Sequence, residues 1–362
     1  MGRCGADPTG PYLDILTTID RLLPVQSCKP RRFEPVEGPT RSRAAPDRQH
    51  RDARPVPGGG RRRAGVCDAD AVATGGDAGL AAVLDAFDVG AGDLLGRGGE
   101  ARVYALDAAR VLRVAHPGGR ADELVARAAL LERLRRGNPP FALPTVLEVG
   151  ELSGRVFAVE RRLPGKPLTE VLAIVDAAAR PALVEAYLEA ASALGDLPLG
   201  GPPSYGELLP FDAIESDTWA GYLERRAAAN LAGSSAELRR VDAAAVARTL
   251  PEAAAPAFVH LDAFAGNMLT DGAAVTAVLD IGTCAVAGDR RFNVLAAACY
   301  LEAPEITPTA TAADAALARR WLDARGLGAL LGPTRRWLAA YWSAAVDDAA
   351  LLRWCRRVLL GG

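Results

Sequence analysis

Two carboxylates and one carboxamide stand close together in the second half of the chain. The stretch HLDAFAGNML carries Asp262 and, five residues later, Asn267, while Asp280 follows in VLDIG. A carboxylate in a loop can orient and deprotonate a hydroxyl group. A second carboxylate and an amide oxygen can hold a hard divalent cation. The pattern therefore indicates Asp262 as a general base and Asn267 with Asp280 as metal ligands.

Each of these residues also has a structural explanation when it is taken singly. Asp262 could cap a helix, and Asp280 could form a turn. His260, one of three histidines, could be a hydrogen-bonded core residue. We favour this structural role over a part in the chemistry. The joint occurrence of Asp262, Asn267 and Asp280 in this order favours catalysis.

A glycine-rich turn precedes these residues in the stretch LLGRGGEARVYAL. Gly96, Gly98 and Gly99 lead into a strand-like run. Glycines between two strands let backbone N–H groups approach phosphate oxygens, because no Cβ stands in the way. An ordinary hairpin turn is the alternative. A dinucleotide-binding fold is disfavoured, because there the glycines open a helix.

The spacing of these groups matches that of phosphoryl-transfer enzymes. Asp262 and Asn267 are as far apart as the aspartate and asparagine of the protein-kinase loop H-R-D-L-x-x-x-N, and Asp280 stands where the D-F-G aspartate follows. Phosphoryl transfer needs one carboxylate for the acceptor hydroxyl, and a carboxylate with an amide oxygen for magnesium. In HLDAFAGNML, VLDIG and AGDRRF the chain resembles the aminoglycoside phosphotransferase family of kinase-like enzymes.

The resemblance implies a role for each matching residue. Asp262 would be the catalytic base, and Asn267 and Asp280 would be the magnesium ligands. ATP would be the phosphate donor. The segment VERRL, with Glu160 and Arg162, would be the hinge whose backbone meets the adenine. The implied fold is that of the protein kinases, with two lobes.

The chain departs from the family at the position of the ATP-binding lysine, where Arg113 stands in RVLRVAH. Arginine keeps the charge and can fork onto phosphate oxygens, so we favour Arg113 as the phosphate contact. Its acidic partner on the following helix could be Glu123 or Glu132, while alignment on ALLERL brings Arg127 to the expected place. These departures leave a second hypothesis open, a pseudokinase-type module that binds nucleotide or protein without turnover.

The order of the predicted elements indicates an α+β fold. Two hairpins, RVYAL with RVLRVAH and TVLEVGEL with RVFAVERRL, flank the helical stretch ADELVARAALLERLRRG, and we expect a five-stranded sheet that includes these four strands. Alanine-rich helices follow LPGKPL, interrupted by a β-pair that turns at Asp271 and Gly272. We expect a small nucleotide-binding lobe over residues 77–163. A larger helical lobe over residues 164–362 would carry the catalytic loop and the acceptor site.

Residues 1–76 differ in composition from the rest of the chain. They are rich in Pro, Gly and Arg and show no apolar period, which predicts a disordered basic tail. The tail could be a basic arm for a polyanion. A passive tail, or upstream sequence from a misassigned start, is the favoured alternative.

The bulk properties exclude several classes of partner. A net charge of −2 gives no field that would attract nucleic acid. No apolar run is long enough to cross a membrane. The six cysteines are scattered without the spacing of a zinc site. We expect reduced thiols in a cytoplasmic protein.

The acceptor is expected to be a small molecule, and no motif in the helical part selects one or sets the oligomeric state. Four aromatic residues recur at helical spacing and are expected to be mainly core: Trp337, Tyr341, Trp342 and Trp354. Some of them could face the cleft between the two predicted lobes. Four acidic residues nearby could attract a cationic amino sugar or form a solvated face: Glu302, Glu305, Asp347 and Asp348.

Overall fold

Five antiparallel strands form the sheet of the N-terminal part. The computed structural model describes residues 77–200, 204–211 and 213–361. The strands are β1 (Leu94–Arg97), β2 (Ala101–Ala105), β3 (Arg110–Ala115), β4 (Val146–Leu152) and β5 (Arg155–Arg161). They lie in the order β1-β2-β3-β5-β4, so the two predicted hairpins join through β3 and β5. Helix α1 (Ala78–Ala86) precedes the sheet, and α2 (Ala121–Arg135) connects β3 to β4.

The two faces of this sheet have different neighbours. One face forms a small apolar core with α1, made of Val83, Val89, Tyr104, Leu112, Val114, Phe157 and Val159. Successive side chains of a strand point to opposite faces. Arg113, between Leu112 and Val114, and Glu160, after Val159, therefore lie on the other face. That face meets α2, since Glu160 pairs with Arg127 of this helix.

Helices dominate the chain after residue 163. They are α3 (Leu168–Ile174), α4 (Arg180–Ala193), α5 (Trp219–Ala232), α6 (Ala243–Ala247), α7 (Arg291–Leu301), α8 (Ala312–Asp323), α9 (Gly328–Trp342) and α10 (Ala349–Leu360). Helix α7 is buried on all sides from Phe292 to Leu301. Its Phe292 ring lies 5.0 Å from the ring of Trp219 and 5.5 Å from that of Trp337, so one aromatic cluster joins α5, α7 and α9.

Two small sheets accompany these helices. One contains β6 (Lys166–Pro167), β10 (Met268–Thr270) and β11 (Val275–Val278) in the order β11-β10-β6. The other contains β7 (Tyr205–Glu207), β8 (Glu215–Ser216), β9 (Ala257–His260) and β12 (Ala285–Gly288) in the order β8-β7-β12-β9. The predicted β-pair is β10 with β11. Its turn is closed by Asp271 Oδ1, which accepts hydrogen bonds from the backbone of Ala273 and Ala274, both at 2.9 Å.

The pairing of these strands brings two linking segments together. The chain runs from β9 through residues 261–267 to β10, and from β11 through residues 279–284 to β12. His260 at the end of β9 pairs with Ala285 at the start of β12. Met268 at the start of β10 pairs with Val278 at the end of β11. The two segments that carry the predicted site residues must therefore lie side by side.

Several predictions concern residues 1–76, which lie outside the described residues. They include the basic tail and Cys4, Cys28 and Cys67. Within the described part, Cys299 and Cys355 are free thiols. None of the helices described here has the length and apolar character that crossing a membrane would require.

Candidate active site

The segment after β9 folds back on itself, so that Asn267 meets Asp262. A 3₁₀ turn over Ala265–Asn267 ends the segment. The Asn267 side-chain Nδ2 then donates to the backbone oxygen of Asp262 at 2.9 Å and to its Oδ2 at 3.0 Å. The five-residue spacing is thus the length of one compact loop. Because Nδ2 is used within the loop, Oδ1 is the atom of Asn267 that could bind a cation.

Asp280 is held against this loop from the neighbouring segment. The backbone N–H of Leu279 donates to the backbone oxygen of Asn267 at 2.7 Å. The oxygen of Leu279 contacts Nε2 of His260 at 3.1 Å. The residues predicted from the sequence as base and metal ligands, Asp262, Asn267 and Asp280, therefore converge.

His260 and Asn293 stabilise the loop that carries Asp262 through buried hydrogen bonds. His260 is fully buried, and its backbone N–H donates to Oδ1 of Asn293 at 2.9 Å. Asn293 Nδ2 donates to the oxygen of Phe258 at 2.7 Å. Burial lowers the pKa of His260 to about 4, against the opposing effects of the Leu279 carbonyl and the Asp280 charge. A neutral imidazole near pH 7 fits the structural role expected for this histidine.

Two buried tyrosines fix the backbone on either side of Asp262. Tyr300 on α7 donates its hydroxyl to the oxygen of Leu261. Tyr187 on α4 donates to the oxygen of Ala263 at 2.9 Å. Sequence reasoning did not identify either tyrosine, because each is distant in the chain from the loop that it contacts.

Arg113 reaches the site from β3. Its Nη2 donates to Asp280 Oδ1 at 2.7 Å and lies 3.7 Å from Glu100 Oε2. Glu100 follows the glycines directly, and its Oε1 accepts a hydrogen bond from Thr283 Oγ1 at 2.6 Å. The glycine turn is thereby connected to the segment after Asp280. Glu100 and Thr283 were not identified from the sequence, although the position of Glu100 beside the glycines was a usable signal.

The two aspartates have opposite pKa shifts. Burial raises the pKa of Asp262 well above its usual value, and the charges of Asp280 and Glu100 act in the same direction, against the hydrogen bond from Asn267. Burial also opposes the charged form of Asp280. The charges of Arg113 and Arg127 and the hydrogen bond from Arg113 nevertheless outweigh it and lower the pKa of Asp280. Paired acids whose environments separate their pKa values are typical of sites with divided roles.

Helix α2 contributes an arginine instead of an acid. Arg127 Nη1 donates to Glu160 Oε1 at 2.6 Å, and Nε donates to the oxygen of Ile281 at 2.9 Å. The two candidate acids of this helix have other partners. Glu132 lies 3.2 Å from Arg136, and Glu123 lies 4.0 Å from Arg120. Among the described residues, the carboxylates that form ion pairs with Arg113 are Asp280 and Glu100.

Comparison with known proteins assigns the chain to a family. The model of the phosphotransferase enzyme family, APH, matches residues 93–341. The chain belongs to this family. The α+β, protein-kinase-like fold and the kinase-type phosphotransferase class predicted from the sequence are therefore confirmed. No curated protein sequence matches the chain significantly.

Solved structures of low sequence identity share the fold of this phosphotransferase. Wild-type aminoglycoside 2'-phosphotransferase-IIIa, solved as a GDP complex, is 15% identical, with a TM-score of 0.52 over 78% of this chain and 96% of that one. The ADP-bound aminoglycoside phosphotransferase APH(2'')-Ib is 14% identical, with a TM-score of 0.51 over 78% and 96%. The complex of APH(2'')-IIIa with GDP and kanamycin is 16% identical, with a TM-score of 0.51 over 77% and 96%.

The predicted hinge lies at the end of β5 in this phosphotransferase. Its Glu160 side chain is buried in the ion pair with Arg127. The backbone N–H of Arg162 donates to the oxygen of Ala109 at 2.8 Å. The Glu160 carboxylate and the Arg162 backbone N–H thus have partners within the protein. The role of these two residues in adenine binding remains a prediction.

Gly96 lies within β1, and Gly98 and Gly99 lie in the turn between β1 and β2. A Cβ at Gly96 would meet no atom within 4 Å, and one at Gly98 would lie 3.7 Å from the oxygen of Ala101. The turn is closed by Gly98, whose N–H donates to the backbone oxygen of Ala101 at 2.9 Å. Packing within the protein therefore does not require glycine at either position. Gly99 lies in the same turn, immediately before Glu100.

The aromatic residues near the C-terminus are mainly core, as expected. Trp337, Tyr341 and Trp354 are buried, while Trp342 is half-buried. The Trp342 indole N–H donates to the Tyr300 hydroxyl at 2.9 Å, so it connects to the loop that carries Asp262.

Ion pairs partly neutralise the acidic residues predicted for the acceptor side. Glu302, with 11% of its side chain exposed, pairs with Arg319 and with Arg335. Glu305 pairs with Arg357 at 2.8 Å. Asp348 caps α10 through the N–H of Leu351 at 2.9 Å, and Asp347 is exposed. A cationic acceptor would have to compete with arginines for Glu302 and Glu305.

Proposed function

We propose that the chain is an ATP- and Mg²⁺-dependent kinase that transfers the γ-phosphate to a hydroxyl group of a small molecule. An aminoglycoside-like compound is one class of acceptor, and another small metabolite is the alternative. The observation that carries the proposal is the convergence of Asp262, Asn267 and Asp280 where the two linking segments run side by side. These are the groups that phosphoryl transfer requires.

The donor atoms fit magnesium. Asn267 could bind the cation through Oδ1. Asp280 could bind it through Oδ2, because its Oδ1 accepts the hydrogen bond from Arg113. Among the described residues no group of three or more His, Cys, Asp or Glu forms a metal cluster. Magnesium at phosphate-transfer sites usually binds through one or two carboxylates together with substrate phosphates, so the pair is sufficient. When bound, magnesium neutralises charge on the phosphate oxygens.

The nucleotide phosphates would bind between Arg113 and the glycine turn. Arg113 carries a permanent charge, since nearby Asp280, Glu160 and Glu100 raise its pKa in spite of the opposing effect of burial. Its planar fork can hold two phosphate oxygens. The open space at Gly96 supports close approach of a ligand to the backbone. Solved neighbours that hold GDP or ADP support a nucleotide donor.

Asp262 would act on the acceptor. Its carboxylate accepts the hydroxyl proton while the acceptor oxygen forms a bond to the γ-phosphorus. The bond from that phosphorus to the bridging oxygen breaks, and ADP leaves. The raised pKa of Asp262 makes it a stronger base than an ordinary carboxylate, provided that it is ionised. The kanamycin complex of one neighbour supports an amino-sugar acceptor, whereas the arginine partners of Glu302 and Glu305 favour the broader class.

Thermal shift with ATP and Mg²⁺ tests the proposal. The parent should be stabilised by ATP, more strongly when Mg²⁺ is present, because a ligand that binds the native state raises its stability. Asp280→Ala should lose the Mg²⁺-dependent part. Asp271→Ala, which removes an exposed turn carboxylate, is the matched control and should show the same ATP- and Mg²⁺-dependent shifts as the parent.

A parent that responds to neither ligand would contradict the proposal and favour the non-catalytic, protein-binding alternative. Once nucleotide binding is established, ATP consumption should be measured across aminoglycosides, sugars, amino alcohols and other metabolites. Turnover with one of these classes would define the acceptor.

A further inference from the structure

Arg127 links three parts of the molecule that the proposed reaction needs together. It lies on α2, is only 4% exposed, and contacts both β5 and the segment after β11. Its Nη1 binds Glu160 at 2.6 Å, while its Nε binds the backbone oxygen of Ile281 at 2.9 Å. Ile281 is the residue that directly follows Asp280. One buried side chain thus connects the N-terminal sheet with the segment that carries a predicted metal ligand.

Asp280 has a backbone conformation that needs such support. Its φ is +53°, in the left-handed region that non-glycine residues enter at a cost, which is smaller for aspartate than for most others. Such conformations persist when the surrounding structure determines them from several sides. Before Asp280, Leu279 is bound through its N–H to Asn267 and through its oxygen to His260. After Asp280, the oxygen of Ile281 is bound by Arg127.

We propose that Arg127 is a positioning residue that sets the orientation of Asp280 through the Ile281 carbonyl, and that Glu160 holds Arg127 in the required place. This inference rests on the proposed function, in which Asp280 is a magnesium ligand. Glu160 then serves the site through its side chain, in addition to the backbone role predicted for the hinge.

The side-chain chemistry explains why arginine is needed. Arg127 uses two donors that point to different partners, Nη1 to the carboxylate of Glu160 and Nε to the carbonyl of Ile281. A lysine has a single ammonium group at the end of its chain. Arg127→Lys can keep the ion pair, but it has no donor at the position of Nε. The substitution therefore separates the ion pair from the bond to Ile281.

Two further variants control for folding. Glu160→Gln keeps an acceptor for Nη1 and leaves the bond to Ile281 in place. The double variant Arg127→Met with Glu160→Leu removes both buried charges, so that neither is left unpaired. Replacing a buried ion pair by apolar residues of similar size is often neutral for stability. If Arg127→Lys failed to fold, the double variant would still test the inference.

The first readout is hydrogen exchange of the ligand-free proteins in residues 279–284, and the second is the Mg²⁺ concentration that gives half of the ATP-dependent stabilisation. Residues that orient a metal ligand typically change metal affinity by about 10- to 100-fold. We expect Arg127→Lys and the double variant to raise the half-saturating Mg²⁺ concentration by that factor and to speed exchange in residues 279–284. Glu160→Gln should have a smaller effect. Exchange in α7 should stay unchanged.

Unchanged exchange in residues 279–284 together with an unchanged Mg²⁺ requirement would overturn the inference. Faster exchange in α7 to the same degree would mean general destabilisation and would also overturn it. If the parent bound no ATP, the proposed function would fail. The exchange measurement would then still decide whether Arg127 orders the segment around Asp280.

Discussion

Replacing Asp262 by Asn should change activity and stability in opposite directions. Asn has nearly the same shape and can still accept the hydrogen bond that Asn267 donates at 3.0 Å. It cannot accept a proton from the acceptor hydroxyl. Loss of a positioned general base costs about 10²- to 10⁴-fold in rate, which corresponds to about 3–5 kcal/mol in the activation free energy.

The stability effect follows from the raised pKa of Asp262. Burial and the charges of Asp280 and Glu100 raise this pKa above the value in the unfolded chain. The folded protein therefore loses stability as the pH rises through the raised pKa. Asp262→Asn removes that loss and should be more stable than the parent at neutral pH, with no gain below the unfolded pKa of about 3.9.

The assays are single-turnover phosphate transfer at saturating ATP, and urea denaturation at neutral pH and at a pH below the unfolded pKa of Asp262. Asp271→Asn is the matched control. This residue is exposed, and backbone N–H groups of Ala274 and Ala273 lower its pKa, so its replacement should leave the rate unchanged. An undiminished rate in Asp262→Asn would refute the assignment of the base. A stability loss at neutral pH would refute the electrostatic reasoning.

Two other substitutions test separate parts of the structure. Arg113→Met should raise the KM for ATP by at least about tenfold, because it removes the proposed phosphate contact and the 2.7 Å bond to Asp280. Arg113→Lys should recover part of the loss, and equal KM values in the parent and the Met variant would exclude Arg113 from the phosphate site. Trp337→Ala should destabilise the protein by about 3–5 kcal/mol in urea denaturation, because Trp337 is fully buried against Phe292 and its indole N–H donates to the backbone oxygen of Leu223 at 2.9 Å. A loss of stability below about 1 kcal/mol would contradict that packing.

The local elements of the fold could be predicted from the sequence. Strand-like apolar runs indicated β2 to β5 of the five-stranded sheet, and Asp271 with Gly272 indicated the turn between β10 and β11. The loop from Asp262 to Asn267 was also predictable, because its spacing is set by one short segment. In each case the information lies within a few neighbouring residues.

The ion pairs could not be predicted in the same way. Whether Arg113 pairs with a glutamate of α2 depends on which side chains of the helix and the sheet come into contact in the folded chain. The pairing of Arg127 with Glu160 joins residues 33 positions apart. Tyr300 contacts Leu261 from 39 positions away, and only the packing of α7 under the loop brings them together. Hydrophobic periodicity carries no information about such partners.

The most direct test of the central claim is a crystal structure of the chain with Mg²⁺ and a non-hydrolysable ATP analogue. We expect the metal to lie about 2.0–2.1 Å from oxygens of Asn267 and Asp280, with the Asp262 carboxylate facing the γ-phosphate. The metal and the triphosphate bound away from these three side chains would contradict the claim.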